Sequence, residues 1–232
     1  MSQLTPRNID ILRIIVEEFL HTGEVLWSKA LLKKYDLWVS SATVRGDMAY
    51  LESLELVYQP YNSAGRLPTS KWLRAFVNYL MQHVPDHFLE EEKKNSKAST
   101  IKSLEEYIHR LTFELAKNTW EISFCVIPER SICEYSGIAH FLEKNMKRLW
   151  KDVFSLVKMI EDKPHFIDFV KHLAVHEGLN VSIWEENILP FLKDYTIILK
   201  PVQVNEAVGY IWIIGSLKMH YSFNISVVRG II

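Results

Sequence analysis

The chain has 232 residues, 48% of them hydrophobic and 24% charged, and its 27 basic and 28 acidic residues leave a formal net charge of -1. This is enough apolar material for one or two packed domains, and it excludes a disordered polar chain and a basic tail that holds nucleic acid by charge alone. The longest apolar run, Val208 to Ile214, is broken by Gly209 and far too short to span a bilayer, and MSQLTPRN has no leader pattern, so a soluble cytoplasmic protein is expected.

Thr5-Pro6 opens the first predicted helix as a cap followed by proline, and Ile9, Leu12, Ile15, Val16 and Phe19 continue it to Thr22-Gly23. A shorter helix is expected from Ser28 through Tyr35. After the connection Asp36 to Val39, the N-cap candidates Ser40 and Ser41 lead into Val44, Met48, Leu51 and Leu54. Three helices with a short turn between the second and third read as a helix-turn-helix. Two strand-like pieces, Val57 to Gln59 and Leu67-Pro68, enclose the turn Asn62-Ser63-Ala64-Gly65-Arg66 and suggest a wing. A fourth helix, capped by Thr69, carries Leu73, Phe76, Val77 and Leu80. Residues 1–84 are therefore expected to form a winged helix-turn-helix domain.

Residues 85–100, from Pro85 through EEEKKNSKAST, lack apolar period and are expected to be a linker. The second domain, 101–232, opens with a helix marked by Ile101, Leu104, Ile108, Leu111 and Leu115, followed by a buried strand at Ile122 to Ile127. Residues 139–176 read as mostly helical, punctuated by Pro164. Strands are expected at Val181 to Trp184, Thr196 to Leu199 and Val208 to Ile214, and a last helix from Lys218 to Ile232. The fold class is α+β.

A helix that reads DNA buries one face and offers a slim opposite face to the major groove. Val44, Met48 and Leu51 define the buried side, and the small residues Ala42, Gly46, Ala49 and Ser53 lie opposite. Thr43, Arg45 and Tyr50 flank that slim face, while Ser40, Ser41 and the free amides of the helix start suit a phosphate. The turn residues Tyr61, Asn62, Ser63 and Arg66 suit a phosphate backbone or a minor groove, and Lys71 adds a cation beyond the second strand. Residues 1–81 carry nine basic and eight acidic side chains, a weak electrostatic footprint.

The run SSATVRGDMAYLESLELVYQPYNSAGRLPT, Ser40 to Thr69, closely resembles the winged-helix domain of the heat-inducible transcription repressor HrcA family, whose pattern is SSATIRN[DE]M followed by QPHTSAGRIPT. The likeness extends back through TPRNIDILRIIVEEFLHTGEVLWS. GLNVSIWEENILPFLKDYTIILKPV and VGYIWIIGSLKMHY resemble the family's closing pattern. The resemblance implies a dimeric repressor of heat-shock chaperone genes that binds a CIRCE-type inverted-repeat operator, with the chaperonin GroEL as a partner. It also implies a GAF-like second domain and a nucleoid-associated, cytoplasmic location. The chain departs from the family at Gly46, where an asparagine is usual, at Tyr61 and Asn62 in place of histidine and threonine, and at Glu55 in place of a glycine. Between Arg130 and Gly137 it passes directly to YSGIAHFLEKN, so the family's inserted dimerising domain is expected to be missing. Dimerisation is then expected through the reduced GAF-like domain or the helix Ile101 to Leu115.

Two rivals share the helix pattern. A DeoR-type repressor of sugar metabolism has a similar recognition helix but a different wing and C-terminal domain; a winged helix serving as a protein-interaction or RNA-binding module would suit the weak charge. Cys125 and Cys133 are spaced unlike a CxxC pair and are expected as reduced thiols. His172 and His176 stand four apart beside Glu177 without a third ligand at fitting spacing, and Pro85 separates His83 from His87, so no metal is assigned. Trp184, Tyr210 and Trp212 are expected as core rather than a ligand pocket. With no phosphate loop, GxSxG elbow or paired catalytic carboxylates, neither an enzyme nor a cofactor is expected.

Overall fold

A computed structural model describes residues 4–35, 38–85, 104–145, 150–172, 178–204 and 207–231. Its mixture of helices and antiparallel strands is α+β. The chain divides into two compact units, Met1–Tyr79 and Leu80–Ile232. That division falls before the expected linker, of which only Pro85 lies among the described residues.

The first unit begins with α1 (Pro6–Thr22), whose N-terminus is closed by a capping box. Asn8 N–H donates to Thr5 Oγ1, and the Asn8 side chain accepts in return from the Thr5 backbone N–H. Gly23 ends the helix in the left-handed region at φ 70°. Next come α2 (Ser28–Lys34), α3 (Ser41–Ser53), the two-residue antiparallel strands β1 (Val57–Tyr58) and β2 (Leu67–Pro68), and α4 (Ser70–His83), capped by Thr69 as expected. Ile11, Leu12, Ile14 and Ile15 of α1 meet Leu31 of α2, Val44, Met48 and Leu51 of α3, and Val57 of β1 in one core. The stretch after the hairpin turn is also pinned to the start of α2. Leu26 and Arg66 exchange both backbone hydrogen bonds, and a Cβ on Gly65 would come within 2.3 Å of the Leu26 carbonyl oxygen, so only glycine fits there.

The second unit is built on a five-stranded antiparallel sheet of β3 (Ile122–Ile127), β4 (Ile132–Ser136), β5 (Asn180–Ile183), β6 (Tyr195–Val204) and β7 (Ala207–Ser216), in the order β4-β3-β7-β6-β5. On one face, Ile122, Phe124 and Val126 of β3, Tyr195 and Leu199 of β6 and Trp212 and Ile214 of β7 form a core. With them pack Phe141 of α6 (Ile138–Asn145), Leu156 and Ile160 of α7 (Trp150–Glu161) and Phe166 and Val170 of α8 (Lys163–His172). The opposite face is covered by α5 (Leu104–Thr119) and α9 (Tyr221–Gly230). Ser123 Oγ donates to the Thr112 carbonyl at 2.5 Å, Thr196 Oγ1 lies 2.7 Å from Tyr221 Oη, and Lys200 Nζ donates to the Arg229 carbonyl at 2.8 Å. Covered on both faces, β3 buries all six of its residues instead of alternating.

Strand β4 lies in the Arg130 to Gly137 stretch, where no strand was expected; as a half-polar edge it buries only Cys133 fully. Trp184 leaves the strand that was expected to include it and opens a 3-10 turn, Trp184–Glu186, at φ 52°. Trp212 and Tyr210 belong to the aromatic core, Trp212 lying 5.4 Å from the Phe166 ring centroid. Cys125 and Cys133 are free and buried. They sit on neighbouring strands facing Glu134 and Val126 respectively, so their side chains project to opposite faces of the sheet. Burial pushes the Cys125 thiol up to about 12 and the Cys133 thiol up to about 11. No helix of the described residues is long and apolar enough to cross a membrane.

Candidate nucleic-acid interface

The orientation of α3 is fixed from both ends and from below. Ser40 is its N-cap, its hydroxyl accepting from the Thr43 backbone N–H at 3.1 Å and lying 2.9 Å from the Thr43 hydroxyl. Val39, just before the cap, packs on the core that holds Val44, a hydrophobic staple. Val44, Met48 and Leu51 are buried, and so is Asp47, which lies between the apolar positions. Arg7 of α1 donates to the Asp47 carboxylate through Nε at 2.7 Å and Nη2 at 3.1 Å, and Asn8 Nδ2 adds a third bond at 3.0 Å. The carboxylate in turn holds the Arg7 guanidinium above its ordinary value, chiefly through that hydrogen bond. Asp47 is thus the residue that ties α3 to the first turn of α1, and apolar spacing gave no sign of it.

At the far end α3 stops in a left-handed turn at Glu55, φ 57°, with Leu56 N–H returning to the Leu51 carbonyl. The family resemblance makes glycine the expected residue at this position, and the turn forms with a glutamate side chain in its place. Lys71 pairs with the Glu55 carboxylate at 3.0 Å, both side chains well exposed.

The face of α3 away from the core carries Ala42, Arg45, Gly46, Ala49, Tyr50 and Ser53, all exposed. A Cβ on Gly46 would meet nothing within 4 Å, so the glycine is open surface and not a packing requirement. Arg45 lies along its own helix, Nε 3.4 Å from the Ser41 carbonyl, with no acidic partner among the described residues. Ser41 Oγ lies 3.3 Å from Ser28 Oγ, which brings the first turns of α2 and α3 together. Lys29 and Lys33, exposed and one turn apart on α2, likewise have no acidic partner among the described residues. Neither lysine was among the candidates read from sequence.

Tyr61, Asn62 and Ser63 are exposed in the turn between β1 and β2, Ser63 at φ 64°. Arg66 behaves differently from its expected place at the rim of that turn. Its guanidinium turns inward, 15% exposed, to Glu52 of α3 at 2.7 Å and to the Ala64 carbonyl at 3.3 Å. Glu52 also accepts the Gln59 backbone N–H, so Arg66 and Glu52 join the hairpin to α3. The surface therefore gathers Ser40, Ser41, Ala42, Thr43, Arg45, Gly46 and Tyr50 on one helix, sets Tyr61, Asn62 and Ser63 on the hairpin, and leaves Arg66 and Lys71 engaged with carboxylates.

Among the described residues no three histidine, cysteine, aspartate or glutamate side chains are grouped to hold a metal. The side chains of His172, His176, Glu177 and His87 lie outside the described residues.

A helical first unit with a short hairpin, followed in sequence by a five-stranded antiparallel sheet with helices on both faces, defines an α+β protein of two compact units. A crystal structure described as that of a hypothetical protein shares this fold, with a TM-score of 0.75 over 97% of this chain and 95% of that one at 18% identity. The family model of the HrcA protein C terminal domain matches residues 59–225, and the chain belongs to the HrcA family. The heat-inducible transcription repressor HrcA of Alkaliphilus metalliredigens (strain QYMF) is 36% identical over 121 residues, 50% of this chain and 35% of the relative. The one from Clostridioides difficile (strain 630) is 34% identical over 142 residues, covering 60% and 40%. That of Thermomicrobium roseum (strain ATCC 27502 / DSM 5159 / P-2) reaches 50% over 80 residues, covering 34% and 23%. The chain thus spans no more than 40% of these relatives' own lengths.

Proposed function

We propose that this chain is a DNA-binding transcriptional repressor whose first unit acts as a winged helix-turn-helix. In this reading α2 and α3 are the helix-turn-helix, α3 enters the major groove and the β1-β2 hairpin is the wing. The observation that carries it is the α3 surface, a row of small residues flanked by Arg45 and Tyr50 on a helix locked from behind by Asp47. Such a face can approach base edges closely. Ser40, Ser41 and Thr43 at the helix start, with Lys29 beside them, suit the phosphates that set its register. Arg45 is the side chain suited to a guanine edge. Tyr61, Asn62 and Ser63 suit the minor groove or the backbone beside it, and Lys71 a phosphate reached by exchanging its exposed carboxylate partner.

Family membership supports the finer reading: a repressor of heat-shock genes acting on a CIRCE-type inverted repeat, as a homodimer, in the cytoplasm at the nucleoid, with the chaperonin GroEL as a regulatory partner and no enzymatic activity. The second unit is read as a reduced GAF-like domain, and the boundary between functional domains is placed near residue 84. The base preference is expected to differ from the family's, because Gly46 removes the amide that an asparagine would present there.

Selection of bound sequences from random duplex DNA, followed by titration of the selected duplex against its scrambled counterpart, tests this. The expected result is preference for the selected sequence, weakened by Arg45→Ala. Equal affinity for the two duplexes, or none for either, rejects the repressor reading; equal affinity favours an RNA-binding or general-interaction module.

A further inference from the structure

Helix α5 (Leu104–Thr119) packs against β3 and β4 and buries Ile108, Thr112, Leu115, Ala116 and Thr119, so the face that the fold requires is already covered. Its outer face still carries a large aromatic ring, Phe113, 52% exposed. Glu106, Arg110 and Lys117 are exposed on the same side. Spaced four, three and four residues apart, these positions fall within about 60° of one another on a helical wheel and follow the a/d rhythm of a helix-pairing seam. Charge is segregated along the helix. Glu105 and Glu106 stand in the first turn and Lys117 in the last.

That order selects the partner. A parallel second copy would set Glu106 on Glu106 and Lys117 on Lys117, and like charges in contact repel. An antiparallel copy, turned about a two-fold axis between Leu111 and Thr112, sets Glu106 against Lys117 and Arg110 against Phe113, each contact occurring twice. The first is an ion pair, and the second lays a guanidinium over an aromatic ring. Flanking the stripe, the same register brings His109 to Glu114, so no like charges meet. Antiparallel pairing also sets each helix dipole against its opposite. A surface that complements itself under one two-fold rotation fits a second copy of this chain better than it fits a polyanion, which Glu105, Glu106 and Glu114 would repel.

Building on the homodimer reading, we propose that α5 pairs antiparallel with α5 of a second copy, through Phe113 and the charges around it. The contact is isologous. Its two-fold axis gives the dimer the symmetry that an inverted-repeat operator demands.

The test is sedimentation equilibrium of the full chain over a concentration series, with Glu106→Lys, Lys117→Glu, an equimolar mixture of those two, and Phe113→Ala. Each charge variant turns two attractions into two repulsions and is expected to weaken self-association about tenfold. The mixture is expected to recover wild-type association, because lysines at both positions of one copy then face glutamates at both positions of the other. Phe113→Ala probes the seam without changing charge. It is expected to weaken association about tenfold with no fall in the urea midpoint, since the ring it removes is half exposed. Variants that associate as tightly as the wild type, or a mixture as weak as its components, overturn this pairing and leave the homodimer reading standing. A wild type that stays monomeric at every concentration overturns both, and titration of the selected duplex then decides the DNA-binding reading separately.

Discussion

Replacing Asp47 by alanine is expected to loosen α3 from the first turn of α1. The change removes the acceptor of three hydrogen bonds, two from Arg7 and one from Asn8. Arg7 is about half exposed and finds water instead, so its share of the loss is small. Asn8 is 3% exposed, and its Nδ2 is left buried with no acceptor, a penalty of about 1–3 kcal/mol. Alanine's better helix propensity returns roughly 0.5 kcal/mol, so a net loss of about 1–2 kcal/mol is expected, enough to lower the melting temperature of a unit this small by roughly 5–10 °C. Thermal unfolding followed by far-ultraviolet circular dichroism measures it, with Arg7→Ala and Asp47→Asn alongside. Both comparison variants should fall between wild type and Asp47→Ala, since each keeps an acceptor for Asn8. A melting temperature unchanged in Asp47→Ala, or lowered more by Arg7→Ala, would refute the assignment of Asn8 as the costly partner.

Gly46→Ala should stabilise the chain by roughly 1 kcal/mol in urea titration, because the added methyl meets open space and the helix gains propensity. Glu55→Gly should stabilise it by about 0.5–1 kcal/mol by relieving a left-handed non-glycine residue, the exposed Lys71 pair counting for little. Arg66→Ala should lower the urea midpoint and weaken DNA binding while leaving the salt slope unchanged, because the guanidinium is committed to Glu52 and not to a phosphate; a reduced slope would return it to the phosphate contacts. Cys125 and Cys133 should resist iodoacetamide at pH 8 in the native chain and react once urea unfolds it, as burial keeps both thiols protonated there. Rapid native alkylation would contradict that.

Helices were legible wherever apolar residues recur on one face and a cap marks the start, as in Thr5-Pro6 before α1 and Ser40 before α3. The exposed row Ala42, Gly46, Ala49 and Ser53 followed from the same wheel that placed Val44, Met48 and Leu51 inside. Asp47 was hidden because a carboxylate on the buried face makes sense only with Arg7, 40 residues away in the chain. Composition alone put Arg66 at the rim of the turn; the direction of its guanidinium is set by Glu52, a partner that local pattern does not announce. Strand β4 was missed because an edge strand with one fully buried residue has little apolar signal. Trp38 read as part of the connection between two helices, and only the folded chain reveals that its indole is almost fully exposed.

The most direct test of the account is the affinity of the full chain for its selected duplex and for the scrambled duplex across a salt series. The account predicts preference for the selected duplex, with a log-log salt slope of roughly -3 per bound copy from Lys29, Lys33 and Lys71, and Arg45→Ala narrowing the preference while leaving the slope nearly unchanged. Equal affinity for both duplexes at every salt concentration, or a preference that Arg45→Ala leaves untouched, would contradict it.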